Sequence, residues 1–249
     1  MSTFVARLAI FYMSLLLFIA ASAGVAVAAE PDKDPQMLKL LHEARTLIDS
    51  KKPAPAIEKC DKVIATFKAA YSSHKEKIYC ARSSTESLGY LLKSAATIDR
   101  GTPTAGAIAL SSLWADAYFM RGYALQDLGR TAEAKKQINL ALELSPLSPQ
   151  YLCELGEIYE LEKNWPKALQ TFKEAENNNS LAPDESRALE LGQARRGIGY
   201  VLVELGKLDE AEKKYQECLK ADPNDTRAAR ELEYVRQLRN RQRPNSSDK

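Results

Sequence analysis

The fold is decided by residues 118–146, which read YFMRGYALQDLGRTAEAKKQINLALELSP. Two small residues of this stretch, Gly122 and Ala134, stand 12 positions apart. The same spacing recurs downstream in Gly156 with Ala168 and in Gly199 with Ala211. The successive offsets between these pairs are 34 residues and 43 residues, which is 34 plus 9. Recurrence at such a period indicates a repeat protein, in which each pair places one small residue on each of two helices whose backbones touch.

A pattern of large and small side chains surrounds each pair and ends in a proline. The matching residues are Tyr118, Gly122, Leu125, Ala134, Ile138 and Pro146, then Leu152, Leu155, Gly156, Tyr159, Ala168 and Phe172 with Ser180 in the proline position, then Ile198, Gly199, Leu202, Ala211, Tyr215 and Pro223. On these residues, roughly positions 115–224, the chain resembles the tetratricopeptide repeat family, whose unit of about 34 residues is a helix pair. The resemblance implies an all-α fold, a right-handed superhelix of antiparallel helix pairs.

Further segments lie on both sides of the repeats. Ala44 and Ala56 are again 12 residues apart, which favours a degenerate helix pair. Pro183, followed by two acidic residues, starts a helix of about 23 residues that accounts for the nine extra positions. The expected segments are an export signal or anchor at 1–29, a flexible lead-in at 30–36, a degenerate helix pair at 37–71, an irregular helical module at 72–112, three repeat units at 113–224, a capping helix at 225–242 and a disordered tail at 243–249.

The irregular module lacks the repeat pattern. Its residues favour one helix from Thr85 to Thr97 and a loop from Arg100 to Gly106, because the loop segment is rich in glycine, proline and threonine. Two readings stay open for this module. It either carries what is particular to this protein or is a decayed repeat.

Residues 1–29 have the composition of an export signal. Arg7 is their only charge, Leu8–Ala23 is apolar, and residues 26–29 supply small side chains for a signal peptidase. Retention as an inner-membrane anchor is the alternative, because Leu8–Ala29 is uncharged and about 20 apolar residues suffice to cross a bilayer. The sequence therefore predicts export, to the periplasm if the source is bacterial.

The groove-lining positions follow from the resemblance, since the family forms its concave surface chiefly from the first helix of each unit. Counted from the small residue, they lie three before it, one after it, and four or five after it. They are Phe119, Tyr123, Gln126 and Asp127, then Cys153, Glu157, Glu160 and Leu161, then Arg196, Tyr200, Val203 and Glu204. This aromatic and acidic set lacks the Lys, Asn and Arg residues with which some relatives clamp the carboxylate of a chaperone tail. Packing of Phe119 and Tyr123 against a neighbouring helix remains the alternative.

The four cysteines matter because an exported protein enters an oxidising compartment. Cys60 and Cys80 lie 20 residues apart and can form a disulfide that joins the first helix pair to the irregular module. Cys153 is expected to face the groove, and Cys218 occupies a position for a small buried residue.

Several functional classes find no support in the composition. The net charge of +2 falls to +1 without Arg7, so overall charge does not favour nucleic-acid binding. His42 and His74 are the only histidines and stand in no metal or triad spacing, and no phosphate-binding glycine loop or CxxC motif occurs. We therefore expect no enzyme activity, no cofactor and no metal.

The sequence thus predicts a scaffold or adaptor that holds a protein or peptide partner in the groove, outside the cytoplasm. One alternative is a structural subunit of an envelope assembly. Another is binding of an anionic surface by the C-terminal arginines, which are Arg230, Arg236, Arg239, Arg241 and Arg243. Membrane contact is expected only through an uncleaved N-terminal segment, and the sequence names neither the partner nor the oligomeric state.

Overall fold

The computed structural model describes residues 30–96 and 106–242. These residues form ten α-helices and two β-strands. In chain order they are α1 (Pro35–Asp49), α2 (Pro53–Tyr71), β1 (Lys77–Ala81), α3 (Ser84–Ala96), β2 (Ala107–Ser111), α4 (Leu113–Asp127), α5 (Thr131–Leu144), α6 (Pro149–Leu161), α7 (Trp165–Asn178), α8 (Asp184–Glu204), α9 (Leu208–Ala221) and α10 (Thr226–Gln242). The expected export signal, most of the loop at 100–106 and the tail at 243–249 lie outside the described residues.

Stacked helix pairs build the fold. Helices α4 and α5, α6 and α7, and α8 and α9 pack as pairs, and α10 covers the end by packing on α9. In each pair the small residue of the first helix lies against a large residue 16 positions later. A methyl group added at Gly122 would come within 2.7 Å of Ile138, and at Gly156 within 2.7 Å of Phe172. The predicted all-α fold of stacked helix pairs with a capping helix is confirmed.

The same turn closes the first helix of every pair, including the pair formed by α1 and α2. A residue with positive φ stands seven positions after the small residue in each case: Lys51, Gly129, Lys163 and Gly206. The amide of the next residue donates to the carbonyl five positions back, as Arg130 does to Leu125 at 2.9 Å. This is the Schellman arrangement. Helices α1 and α2 therefore share the backbone geometry of the repeat units.

The segment between α2 and α4 differs from the predicted helical module. Strands β1 and β2 pair in parallel, with Lys77 opposite Ala107 and Ala81 opposite Ser111, and α3 connects them. The helix lies within one residue of its expected bounds, whereas neither strand was expected. Both strands are short and mostly continuous apolar runs, KIYCA and AIALS, without the alternation of apolar and polar residues that indicates a strand.

Two apolar cores run through the stack, and the cysteines belong to them. Cys60 and Cys80 lie fully buried in the core around α1, α2 and α4, while Cys153 and Cys218 lie in the core around α8 and α9. All four are free thiols in this structure, so the possible bridge between Cys60 and Cys80 is not formed in it. Burial raises the pKa of Cys60 to about 12, as expected of a thiol that packs as a small apolar side chain.

Candidate functional site

Helix α8 forms a wall common to two cavities. The C-terminal cavity, of about 690 Å³, is lined by residues of α4, α6, α7, α8, α9 and α10. The N-terminal cavity, of about 420 Å³, is lined by residues of α1, α4, α6 and α8. Leu189 and Gln193 on α8 contribute to both linings, so the two cavities adjoin along this helix.

Most of the predicted groove residues line these cavities. The C-terminal cavity takes Gln126, Glu157, Glu160, Leu161, Arg196 and Tyr200, and the N-terminal cavity takes Phe119 and Tyr123. Phe119 is largely buried because its ring stacks on Tyr151 with centroids 5.1 Å apart, so packing dominates there. Tyr123 keeps an exposed side chain.

The other predicted groove residues line neither cavity. Asp127 lies 3.5 Å from the Lys51 ammonium at the surface, and Val203 packs half-buried on the second core. Glu204 is exposed near the end of α8. The prediction that Cys153 faces the groove is wrong, because its side chain is fully buried and fills the helix interface.

Exposed apolar side chains surround the C-terminal cavity. Leu161 at the end of α6 is 66% exposed, and Leu189 on α8 is 71% exposed. Leu189 was not among the expected groove residues, because this residue lies in the part of α8 that extends beyond a standard repeat unit. Its spacing shows the signal, since Leu189, Gln193, Arg196 and Tyr200 follow one another at helical intervals of four, three and four residues.

An acidic cluster is formed by Glu157 and Glu160, which line this cavity, and by Glu204, which lies outside the lining and acts on Glu160 through its charge. Burial raises the pKa of Glu160 to about 8, and the like charges of Glu157 and Glu204 add to the effect. Glu157 accepts a hydrogen bond from the Gln193 amide at 2.8 Å. Across residues 30–96 and 106–242, none of the three carboxylates forms an ion pair. The cluster therefore has no counter-ion from the described chain, and its like charges and burial keep Glu160 protonated below about pH 8.

Two polar atoms of the cavity lining are buried and lack a hydrogen-bond partner among the described residues: Glu160 Oε1 and the Tyr215 hydroxyl. The Tyr215 side chain is fully buried against Gly199. Buried polar atoms in native proteins are normally hydrogen-bonded, so each such exception requires an explanation.

The cations of the cavity lining belong to helices α8 and α10. Arg196 of α8 donates to Asp225 at 2.5 Å, and Asp225 also accepts the Ala228 amide at 3.0 Å at the start of α10. Arg227 and Arg230 of α10 are exposed and pair with no described residue. The lining thus carries two carboxylates on α6, and two arginines together with Glu231 on α10.

A buried ionic network, the Arg82 network, fastens the strand-helix-strand segment to α8. Its members are Arg82, Glu86, Tyr90, Gln150 and Glu190. The Arg82 guanidinium donates to both Glu190 oxygens at 2.6 and 3.2 Å and to Gln150 at 3.1 Å. The Tyr90 hydroxyl donates to Glu86 at 2.7 Å. This network holds the part of α8 that carries Leu189 and Gln193.

Two further structural properties concern the described residues alone. They contain no group of three or more His, Cys, Asp or Glu side chains that could hold a metal ion. None of their helices is sufficiently long and apolar to cross a membrane.

Comparison with known proteins identifies the repeats. Models of the tetratricopeptide repeat match residues 119–185 and 192–225. No match was found among curated proteins.

Among solved structures, Pseudomonas aeruginosa PilF is 13% identical with a TM-score of 0.57, covering 84% of this chain and 71% of PilF. The first tetratricopeptide repeat domain of Spaghetti (RPAP3), solved with an HSP90 peptide, is 23% identical with a TM-score of 0.45, covering 51% of this chain and 95% of that domain. At these identities the likeness to PilF concerns the fold alone. The chain therefore contains tetratricopeptide repeats at residues 119–185 and 192–225, set in a solenoid-type helical fold.

Proposed function

We propose that the protein is a non-catalytic scaffold or adaptor that binds a segment of a partner protein in the C-terminal cavity. The observation that carries this proposal is the exposure of Leu161 and Leu189 on the two helices that flank the cavity. Exposed apolar side chains grouped around a concavity mark an interaction surface. Tyr200, in the same lining, adds a rigid aromatic side chain of the kind enriched at binding interfaces.

The chemistry of the linings favours binding over catalysis. Neither lining contains His, Cys, Ser or Thr, the residue types that most often supply an activated nucleophile or its base. The helices are preorganised by the cores and by the Arg82 network, so little conformational entropy is lost on this side when a partner binds.

Binding by the C-terminal arginines has less support. Arg236 and Arg239 pair with Glu212 on α9, and Arg239 also pairs with Asp209 at 2.9 Å. Arg230 lines the cavity. These three side chains therefore have roles within the repeat stack, as expected for a capping helix.

We also propose that the protein acts outside the cytoplasm, because residues 1–29 have the composition of an export signal. Mass spectrometry of the N-terminus in cell fractions tests this. An N-terminus near Glu30 in the exported fraction supports cleavage, and an intact N-terminus in the membrane fraction supports the anchor. An intact N-terminus in the cytoplasmic fraction contradicts export.

A matched set of leucine variants tests the groove. Leu161→Glu with Leu189→Glu introduces charge at the cavity, whereas Leu38→Glu with Leu92→Glu introduces the same charge at leucines of similar exposure, 62% and 61%, on α1 and α3. Peptides are selected from a random display library on the immobilised full-length protein and then measured against both double variants.

Peptides that lose binding only to the Leu161→Glu, Leu189→Glu variant support the proposal. Peptides that bind both variants equally, or the absence of any selected peptide, overturn it. Circular dichroism of both variants checks that the helices are retained.

A further inference from the structure

We propose that the occupant of the C-terminal cavity is a cationic segment of the partner, whose lysine or arginine side chain donates to Glu160 and the Tyr215 hydroxyl. This inference rests on the proposed function and adds the chemistry of the partner. It commits to a segment that combines basic and apolar side chains. Residues of α6, α8 and α9 would receive it.

The acidic cluster lacks a counter-ion, and a partner cation would favour the ionised form of Glu160. Glu157, Glu160 and Glu204 influence one another through like charge and receive no ion pair from the described chain. Arg196, one of the cations of the lining, already pairs with Asp225. A cation supplied by the partner would replace repulsion by attraction in a partly dehydrated site, where charge interactions are stronger than in water.

Two buried polar atoms of the lining, Glu160 Oε1 and the Tyr215 hydroxyl, lack a hydrogen-bond partner among the described residues. Once Glu160 is ionised, its Oε1 atom is a hydrogen-bond acceptor and cannot donate. The Tyr215 hydroxyl can accept a hydrogen bond and can also donate its one proton. A buried acceptor without a donor costs free energy that an incoming N–H group recovers. An ammonium or guanidinium group carries several N–H donors and no acceptor, so it fits this need.

The same cavity also has exposed apolar side chains in its lining. Leu161, Leu189 and Tyr200 line the same cavity as Glu157 and Glu160, and their side chains are exposed. Lysine and arginine carry a long aliphatic stem below the charged group, and such stems pack along apolar surface. The lining therefore matches both parts of these side chains.

Binding measurements on the groove-dependent peptides of the display selection test the inference. The selected peptides are first compared with the unselected library in their Lys and Arg content. The tightest one is then titrated, with its lysines free or acetylated, against the wild type, Glu160→Gln and the control Glu162→Gln. Glu162 directly follows α6, outside the cavity lining, and pairs with Lys135 at 2.6 Å, so its variant removes a carboxylate elsewhere.

We expect enrichment of Lys or Arg, a loss of affinity of about tenfold with Glu160→Gln or with acetylation, and an unchanged affinity with Glu162→Gln. Groove-dependent peptides without such enrichment, or equal affinity for the wild type and Glu160→Gln, overturn this inference and leave the proposed function standing. Enrichment in Asp or Glu would assign the site to the arginines of α10 instead and also overturn it. Failure to select any groove-dependent peptide overturns the proposed function itself.

Discussion

The Arg82 network and the acidic cluster are two groups of charged side chains near the same helix, and their partners differ. In the network, Glu190 receives two hydrogen bonds from Arg82, and Glu86 receives one from Tyr90 and one from the Arg82 amide at 2.6 Å. In the cluster, Glu160 has a buried oxygen that receives none from the described residues. Burial raises the pKa of both Glu86 and Glu160, so burial alone does not distinguish them. The two carboxylates therefore differ in their donors: those of Glu86 come from the fold itself, whereas Glu160 leaves an acceptor open, which is why we propose it as the binding residue.

Removal of Arg82 should have the largest effect. Arg82→Ala leaves Glu190 and Glu86 buried without their cation, and breaking a buried ion pair from one side costs about 3 to 5 kcal/mol. Chemical denaturation measures the change in the free energy of unfolding. The control Arg130→Ala removes a surface pair with Glu133 and should change stability little. Equal effects of the two substitutions would mean that the Arg82 network does not fasten α8.

Two tyrosine variants should differ by a smaller amount. Tyr90→Phe deletes a hydrogen bond to a buried carboxylate and should destabilise the protein by about 1 to 3 kcal/mol. Tyr215→Phe deletes a hydroxyl that has no partner among the described residues, so we expect no loss of stability. Thermal unfolding of both variants gives the comparison. A Tyr215→Phe variant as unstable as Tyr90→Phe would show that its hydroxyl has a structural role.

The smallest expected effect is a change in how stability depends on pH. The pKa of Glu160 in the folded protein is raised to about 8 from its usual 4.5, so between these values the folded state binds more protons than the unfolded state. Stability contributed by protonated Glu160 is therefore present at pH 5 and lost as the pH rises through 8. Glu160→Gln should raise the free energy of unfolding relative to the wild type at pH 8 but not at pH 5.

Denaturation curves of the wild type and Glu160→Gln at the two pH values test this difference. Other carboxylates with a raised pKa, such as Glu154 at about 7, titrate in both proteins and cancel in the comparison. A Glu160→Gln variant that is less stable at pH 8 would assign Glu160 to the architecture, as for Glu86. If Glu160→Gln is more stable and also binds the peptide less tightly, it shows the compromise between stability and function that is expected of a binding residue.

The repeat units were predictable because their contacts are local. Gly122 meets Ile138 and Gly156 meets Phe172 at the same separation of 16 residues, so the pattern is visible within each unit. The predicted acidic side of the groove also followed from unit geometry, since Glu157 and Glu160 line the C-terminal cavity. The first helix pair was harder to recognise because its side chains keep little of the repeat pattern beyond the spacing of Ala44 and Ala56, and the backbone of the Lys51 turn adds to that evidence.

Sequence alone therefore determined the helix pairs and their period, and it predicted an acidic, aromatic concave face, because each depends on residues close together in the chain. Tertiary structure decided which side chains have partners. Arg82 reaches Glu190 across 108 residues, the strands β1 and β2 pair across a helix, and the cysteines pack in separate cores. Whether Glu160 has a donor depends on side chains from helices far apart in sequence, and no local pattern records that.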